Sequence, residues 1–447
     1  MMDDSLRSVP AAPGRLPLLG HVVALGRNPL GFLESLRTVG SIVRIDLGNW
    51  PVYMLTTPEL VRDALVTQAG SLTRGRIYDR ARTLFGNGLA TSDGALHLRQ
   101  RRLLQPAFHQ QRIAGYAETM RRHADELVAS WAPGQQVAVD QVMHELTLRI
   151  VADALFSTDL GRTSVAEVQQ HVPIIMKGIA ARMITPRRLD GWPIPLNRRF
   201  DAASTRLRRI VEELIVARRG AGRGRNDLLS VLLAARDADS GSAMSDAQVC
   251  DEVISLLIAG TETPANTLAW TFHALAGHPD VEQRLHAEID AVVEDRPIGI
   301  DTVAGLEYAR RILNEVIRLH PPLLFTRRAT AQTCIGGLRI PPGTEIAYSP
   351  YALHRDPDLY PEPTRFDPDR WLSERAAYLT PRTFNPFGAG HHKCIGDDFA
   401  WTEMSIVVAT VAHRWRLRLA EGHSVREVVA EVPRPDALPM IVQPRKP

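Results

Sequence analysis

Phe387-Gly388-Ala389-Gly390-His391-His392-Lys393-Cys394-Ile395-Gly396 holds one cysteine in a run punctuated by three glycines. Such a cysteine, at the mouth of a helix, is disposed to stay a thiolate, because main-chain N–H groups and the positive helix end favour negative charge on sulfur. The alternative is a small buried hydrophobe, the commonest role of an isolated cysteine. Packing alone requires none of the surroundings: an aromatic at Phe387, a tight turn at Gly390, a close backbone approach at Gly396. Cys250 and Cys334 lack them and read as structural. Three cysteines far apart, with no Cys-x-x-Cys, argue against a disulfide framework, zinc or an iron–sulfur cluster.

Upstream, Ser245 and Gln248 form a capping box, and a helical pattern runs from there to Gly277-His278-Pro279. At about 1.5 Å per residue this helix spans roughly 50 Å and must cross its domain. Its middle, Val253 to Gly260, is apolar nearly all round, the mark of a helix buried on every side. Ala259-Gly260-Thr261-Glu262-Thr263-Pro264 then places an acid and an alcohol in it. Pro264 has no N–H for the Gly260 carbonyl, so the helix is expected to open into a polar notch. The plainer reading is that Thr263 bonds back to its own turn and Glu262 meets solvent.

Between these motifs lies Glu315-Val316-Ile317-Arg318 on a helix that ends at Pro321-Pro322. Such a pair is ordinarily exposed and worth roughly 0.2–0.5 kcal/mol, but the apolar Ile312, Leu313, Val316 and Ile317 beside it argue for burial. A buried pair needs a further partner, and Arg365 in Pro361 to Trp371 is the candidate. Nearer the N-terminus, His97 and Arg101 stand four apart on one helix face.

Around these motifs, Pro10 to Gly20 reads as an extended lead-in. Residues 41–57 alternate, with Val43, Ile45 and Leu47 on one face and Arg44 and Asp46 on the other, and read as a hairpin turning at Gly48-Asn49. Helical patterns dominate from about 58 to 320, and 333–350 reads as strand, turn (Pro341-Pro342-Gly343), strand. Arg218 to Asp227 reads as a mobile loop. The fold class is mainly α with a smaller β region (α+β), in a single domain over 1–447, helix-rich at about 58–320 and 385–415. Net charge is +3, almost all the basic residues being arginine, which excludes a general polyanion or nucleic-acid binder. No apolar run of about 18 residues and no signal-peptide layout occurs, so a cytoplasmic protein without membrane anchor is expected. No Rossmann glycine fingerprint or flavin segment appears.

Phe-x-x-Gly-x-His-x-Cys-x-Gly at 387–396, Ala-Gly-x-Glu-Thr at 259–263, Glu-x-x-Arg at 315–318 and His-x-x-x-Arg at 97–101 together resemble the cytochrome P-450 family. The resemblance implies the P-450 fold, with haem b between the long helix and the cysteine loop and Cys394 as axial ligand of iron. It implies that Glu262 and Thr263 relay protons, with Pro264 departing from the hydroxyl residue usual there, and that Gly260 and Phe387 face the cofactor. His97, Arg101, His392 and Arg327 are implied as propionate donors, with Arg328 as the alternative to Arg327. Glu315, Arg318 and Arg365 are implied as a structural lock.

The activity implied is O2-dependent monooxygenation of a hydrophobic small molecule, with electrons from a ferredoxin and an NAD(P)H-dependent ferredoxin reductase. Arg99, Arg101, Arg102, Arg112 and Lys393 are candidates for the ferredoxin's docking patch. Family pocket segments are apolar here (Leu84, Phe85, Leu89; Ile174, Ile175, Met176, Met183, Ile184; Leu256, Leu257; Leu323, Leu324, Phe325). Together with the likeness of Ala12 to His21 and Phe366 to Trp371 to actinobacterial sesquiterpene-oxidising members, they point to a sesquiterpene hydrocarbon, with stepwise oxidation of one methyl natural to such an enzyme of antibiotic biosynthesis. A fatty-acid or polyketide hydroxylase, a peroxide-driven or isomerising relative, and a non-catalytic haem binder are the rival readings.

Overall fold

The computed structural model describes residues 4–156, 162–184, 189–220, 227–237, 241–294, 296–375, 383–429 and 432–445. The chain divides into two compact units, one of residues 1–77, 311–394 and 427–434, the other of residues 78–310, 395–426 and 435–447.

The first unit is built on a five-stranded sheet with strands in the order Ile42–Leu47, Trp50–Leu55, Glu345–Tyr348, Phe325–Ala329, Leu72–Arg74. The expected hairpin opens it, pairing Ile42 with Leu55 through to Leu47 with Trp50, and Gly48 takes the positive φ of 63° that its turn needs. Alternation along the second strand sends Tyr53 and Leu55 into one apolar cluster and Val52 and Met54 into another, so the sheet is covered on both faces. Asp46, expected on a polar face, is buried and held by Arg15 at 2.7 Å.

Residues 333–350 differ from expectation. Gly336 and Gly337, both at positive φ, close a separate hairpin of Thr333–Ile335 and Leu338–Ile340, while Glu345–Tyr348 leaves for the main sheet. Two adjacent left-handed residues are the signature of a tight two-residue turn, a stronger stop than the Pro-Pro-Gly that follows.

The second unit is helical, with a three-stranded sheet of Gln136–Ala138, Pro439–Pro444 and Trp415–Leu419. Its axis is the helix Asp246–Gly277, 32 residues long, with the capping box formed in both directions between Ser245 and Gln248. Val253, Ile254, Leu257 and Ile258 are all buried. The helical run passes Pro264 without a break. The hydroxyls of Thr261, Thr263 and Thr267 each donate to the carbonyl four residues back, those of Leu257, Ala259 and Thr263, as the plainer reading of Thr263 anticipates.

Arg218 to Gly220, expected to belong to a loop, lie in a helix. Pro195–Gly220 is helical, and Arg218 is buried, donating to the Phe156 carbonyl at 2.6 Å and pairing with Asp227 at 2.6 Å. Residues 221–226 lie outside the described residues, as do the side chains of Met183 and Ile184.

Candidate active site

In the first unit, the cysteine loop is shaped by its glycines. Gly388 and Gly390 adopt φ of 71° and 66°, and a Cβ on Gly390 would sit 1.9 Å from the Leu65 carbonyl oxygen, so no other residue fits there. The loop folds back on itself, with the Cys394 N–H donating to the Phe387 carbonyl at 2.8 Å and the Lys393 N–H to that of Gly390 at 3.1 Å. The Cys394 side chain is exposed. His392 is half-buried on the short turn Gly390–His392. Cys250, by contrast, is buried, and its thiol is pushed up to about 11 by desolvation. Gly396 has only ordinary contact, 3.6 Å to the Phe108 ring, so the close approach expected there is not what that glycine serves.

The Glu315–Arg318 pair is fully buried and bidentate, at 2.8 Å through each oxygen. Arg318 also donates to the carbonyls of His354 and Pro363, both at 2.7 Å. The third member is Arg370 and not Arg365. Arg370 is 2% exposed and its Nε donates to Glu315 Oε1 at 3.2 Å, joined by the Trp371 indole at 3.0 Å and the Asp367 N–H at 3.1 Å. Arg365 leaves 63% of its side chain in solvent, paired with Glu362, and offers the lock only its carbonyl. The local Glu362–Arg365 spacing of three already satisfied that arginine at the surface. Arg370, followed by Trp371 on the turn Pro368–Trp371, was the signal for a side chain turned inward.

Strand alternation separates Arg327 from Arg328. Arg328 lies opposite Glu345 and pairs with it at 2.6 Å. Arg327 is 7% exposed, donates to the Thr326 carbonyl at 2.9 Å, and meets no carboxylate among the described residues. Of the apolar residues expected near a substrate, Leu323 and Leu324 pack on one face of the sheet and Phe325 on the other.

In the second unit, His97 and Arg101 stand on the helix Gly94–Leu104, His97 buried with Nδ1 3.5 Å from Ser92 Oγ. Arg99 and Arg102 of the expected docking patch are drawn to the buried Asp237, at 3.8 and 3.5 Å. Leu84, Leu89, Ile175 and Leu257 are buried.

The helix Val139–Phe156 packs along the central helix where the acid–alcohol pair lies, through three residues of one face. His144 Nε2 is 3.3 Å from Glu262 Oε2, Thr147 donates to the Thr261 carbonyl at 3.1 Å, and Val151 Cγ2 would lie 3.0 Å from a Cβ on Gly260. Gly260 thus admits the neighbouring helix. Thr263 is exposed and its hydroxyl donates to the Ala259 carbonyl at 3.0 Å.

A second polar cluster escaped the sequence reading. Asp251 and Glu252 accept the N–H groups of Asn87 at 2.9 Å and Leu89 at 2.7 Å, pinning the 86–92 loop to the central helix, and Arg208 ties in through Asp251 at 2.8 Å. A Cβ on Gly86 would sit 2.1 Å from the Asp251 carboxylate and one on Gly88 2.4 Å from Ser255 Oγ. Burial raises the Glu252 carboxyl to about 8, leaving it largely protonated at neutral pH. Two adjacent acids in an apolar helix, with Gly-Asn-Gly at 86–88, were the available signal.

These features meet in one assignment. The family model for Cytochrome P450 matches residues 10–444, and the chain belongs to that family of haem monooxygenases. It is 44% identical to cyclooctat-9-en-7-ol 5-monooxygenase of Streptomyces melanosporofaciens, over 97% of this chain and 95% of the relative. It is 38% identical, over the same shares, to pentalenene oxygenase of Streptomyces avermitilis. The crystal structure of the cytochrome P450DA heme domain superposes with a TM-score of 0.87 at 29% identity, covering 98% of each chain. Within the first unit the residues suit a haem. Cys394 presents its sulfur from a loop turned by two positive-φ glycines, and Arg327 carries a buried charge that meets no carboxylate among the described residues, which a propionate would answer. No helix among the described residues is long and apolar enough to cross a membrane.

Proposed function

We propose that this chain is a haem-thiolate monooxygenase of carbocyclic terpenes in secondary metabolism. The observation that carries the reading is the 44% identity, over 97% of the chain, to a relative named for 5-monooxygenation of cyclooctat-9-en-7-ol, joined to the glycine-shaped loop around Cys394. That relative's named substrate carries an alcohol, while the named substrate of pentalenene oxygenase is an alkene without one. The substrate class therefore widens from the sesquiterpene hydrocarbon to carbocyclic terpenes with or without a hydroxyl.

Bound through the thiolate, haem supplies reductive activation of O2 and insertion of one oxygen atom into a C–H bond, the second leaving as water. Cys394 Sγ would be the sulfur donor that holds the haem iron, its loop closed by the Cys394 N–H on the Phe387 carbonyl. Arg327, His97, Arg101 and His392 would hold its propionates. Glu262 holds a proton at its carboxylate and delivers it to the Thr263 side. The Thr263 hydroxyl, although it donates to the Ala259 carbonyl, keeps acceptor capacity for a water that carries the proton onward. Electrons arrive from a ferredoxin fed by an NAD(P)H-dependent reductase, with Arg112 and Lys393 among the basic groups that meet its acidic surface.

Two measurements test this. The reduced, CO-bound protein should show the red-shifted Soret band of a thiolate-ligated haem, and Cys394→His should lose it; a histidine-type band in the wild type would sink the ligand assignment. With surrogate ferredoxin and reductase, cyclic terpenes and their mono-alcohols should be oxygenated in preference to fatty acids, and the reverse preference would overturn the substrate class.

A further inference from the structure

The acid of the acid–alcohol pair has a partner of its own. His144 Nε2 lies 3.3 Å from Glu262 Oε2, and the other ring nitrogen, Nδ1, lies 2.8 Å from the Asp140 main-chain carbonyl one turn earlier. A carbonyl oxygen can only accept, so Nδ1 carries a hydrogen and the ring's orientation is set. A neutral ring in that tautomer points a lone pair at Oε2, and a carboxylate points another back. The contact is attractive only if one proton lies between them. A hydrogen on Nε2 supplies that donor, and it lies on the Nε2–Oε2 line along which it can move. Both side chains are partly open, His144 at 30% and Glu262 at 21%, so water can reach the ring to replace that proton. The alignment is fixed on the same helix face by Thr147 bonding the Thr261 carbonyl and by Val151 seated over Gly260.

We infer that His144 is the positioning residue that holds Glu262 and resupplies it with protons. In the step, a proton leaves His144 Nε2 for Glu262 Oε2, leaving a neutral ring and a carboxylic acid; Glu262 passes its proton on, and a proton from bulk solvent, carried by water, returns to Nε2; no electrons move. The inference rests on the reading of Glu262 as the proton carrier.

The reduced, CO-bound holoenzyme is diamagnetic and suits nitrogen NMR of 15N-histidine-labelled protein. A hydrogen attached at His144 Nε2 should be seen in the wild type and lost in Glu262→Gln, whose amide donates to a bare Nε2. The same pattern in both proteins would overturn the inference. His144→Gln keeps a hydrogen bond to Glu262 but cannot pass a proton. Turnover should therefore fall on the order of tenfold with KM unchanged and more peroxide released per NADPH, less than the roughly 10²–10⁴ supplied by a directly acting acid, because water still reaches Glu262. Full activity in His144→Gln beside a collapsed Glu262→Gln would remove His144 alone. Full activity in Glu262→Gln would remove the relay reading and this inference with it.

Discussion

Glu315 accepts from both nitrogens of Arg318 that face it, from Arg370 and Trp371, and from the Asp367 main chain. That many donors around one buried carboxylate make each partner hard to remove. Arg370→Ala should destabilise the protein by about 3–5 kcal/mol, the cost of leaving a buried charge half-answered. Arg365→Ala should fall within about 0.5 kcal/mol of wild type, as for an exposed pair. Urea unfolding midpoints of the two variants decide the matter, and a larger loss at Arg365 would restore it to the lock. Thr263→Ala belongs to the same scale. It deletes a bond to the residue's own turn, so it should leave the unfolding midpoint nearly unchanged while product formed per NADPH drops. Unchanged coupling would mean that the hydroxyl has no part in proton delivery.

At the scale of elements, the central helix and the Val139–Phe156 helix are matched where Gly260 meets Val151. An alanine at 260 gains roughly 1 kcal/mol of helix propensity but presses on the valine. Gly260→Ala should therefore stabilise more in a Val151→Ala background than in the wild type, read as a coupling energy from a double-mutant cycle; no coupling would mean that the two helices do not touch there. The signals that proved legible in the sequence are those an element carries within itself: the Ser245–Gln248 box, the alternation of 42–55, the glycines around Cys394. Those that were missed depend on what comes to lie alongside. Arg365 and Arg370 look alike until the chain from 361 to 371 is wrapped against Glu315. His144 has no local mark, since its meaning comes from a carboxylate on another helix. The Gly336-Gly337 turn was visible, but Pro-Pro-Gly five residues on drew the boundary away from it.

For the whole molecule, buried ionisable groups set opposed responses to pH. Burial lowers His354 to about 3 and His286 to about 4, from an ordinary value of 6.5. The unfolded chain takes those protons first, so stability contributed by these groups is lost as pH falls below 6.5. Burial raises Glu252 to about 8 from 4.5, and Glu403, whose oxygens meet no hydrogen-bond donor among the described residues, is also pushed well up. Here the folded chain keeps the proton, so the contribution is full below 4.5 and is lost as pH rises towards 8. Glu252→Gln should accordingly flatten the decline of the unfolding midpoint between pH 5 and 8, and an unaltered slope would mean that Glu252 is ionised in the folded protein. The lock around Glu315 has a different consequence at this scale. It gathers the helix Glu307–Leu319, the carbonyl of His354 and the 361–371 segment onto one carboxylate, so no one of these stretches can open without breaking the others. Breathing motions that release a lone turn cannot expose it, and the indole hydrogen of Trp371 should be among the slowest in the protein to exchange with deuterated solvent.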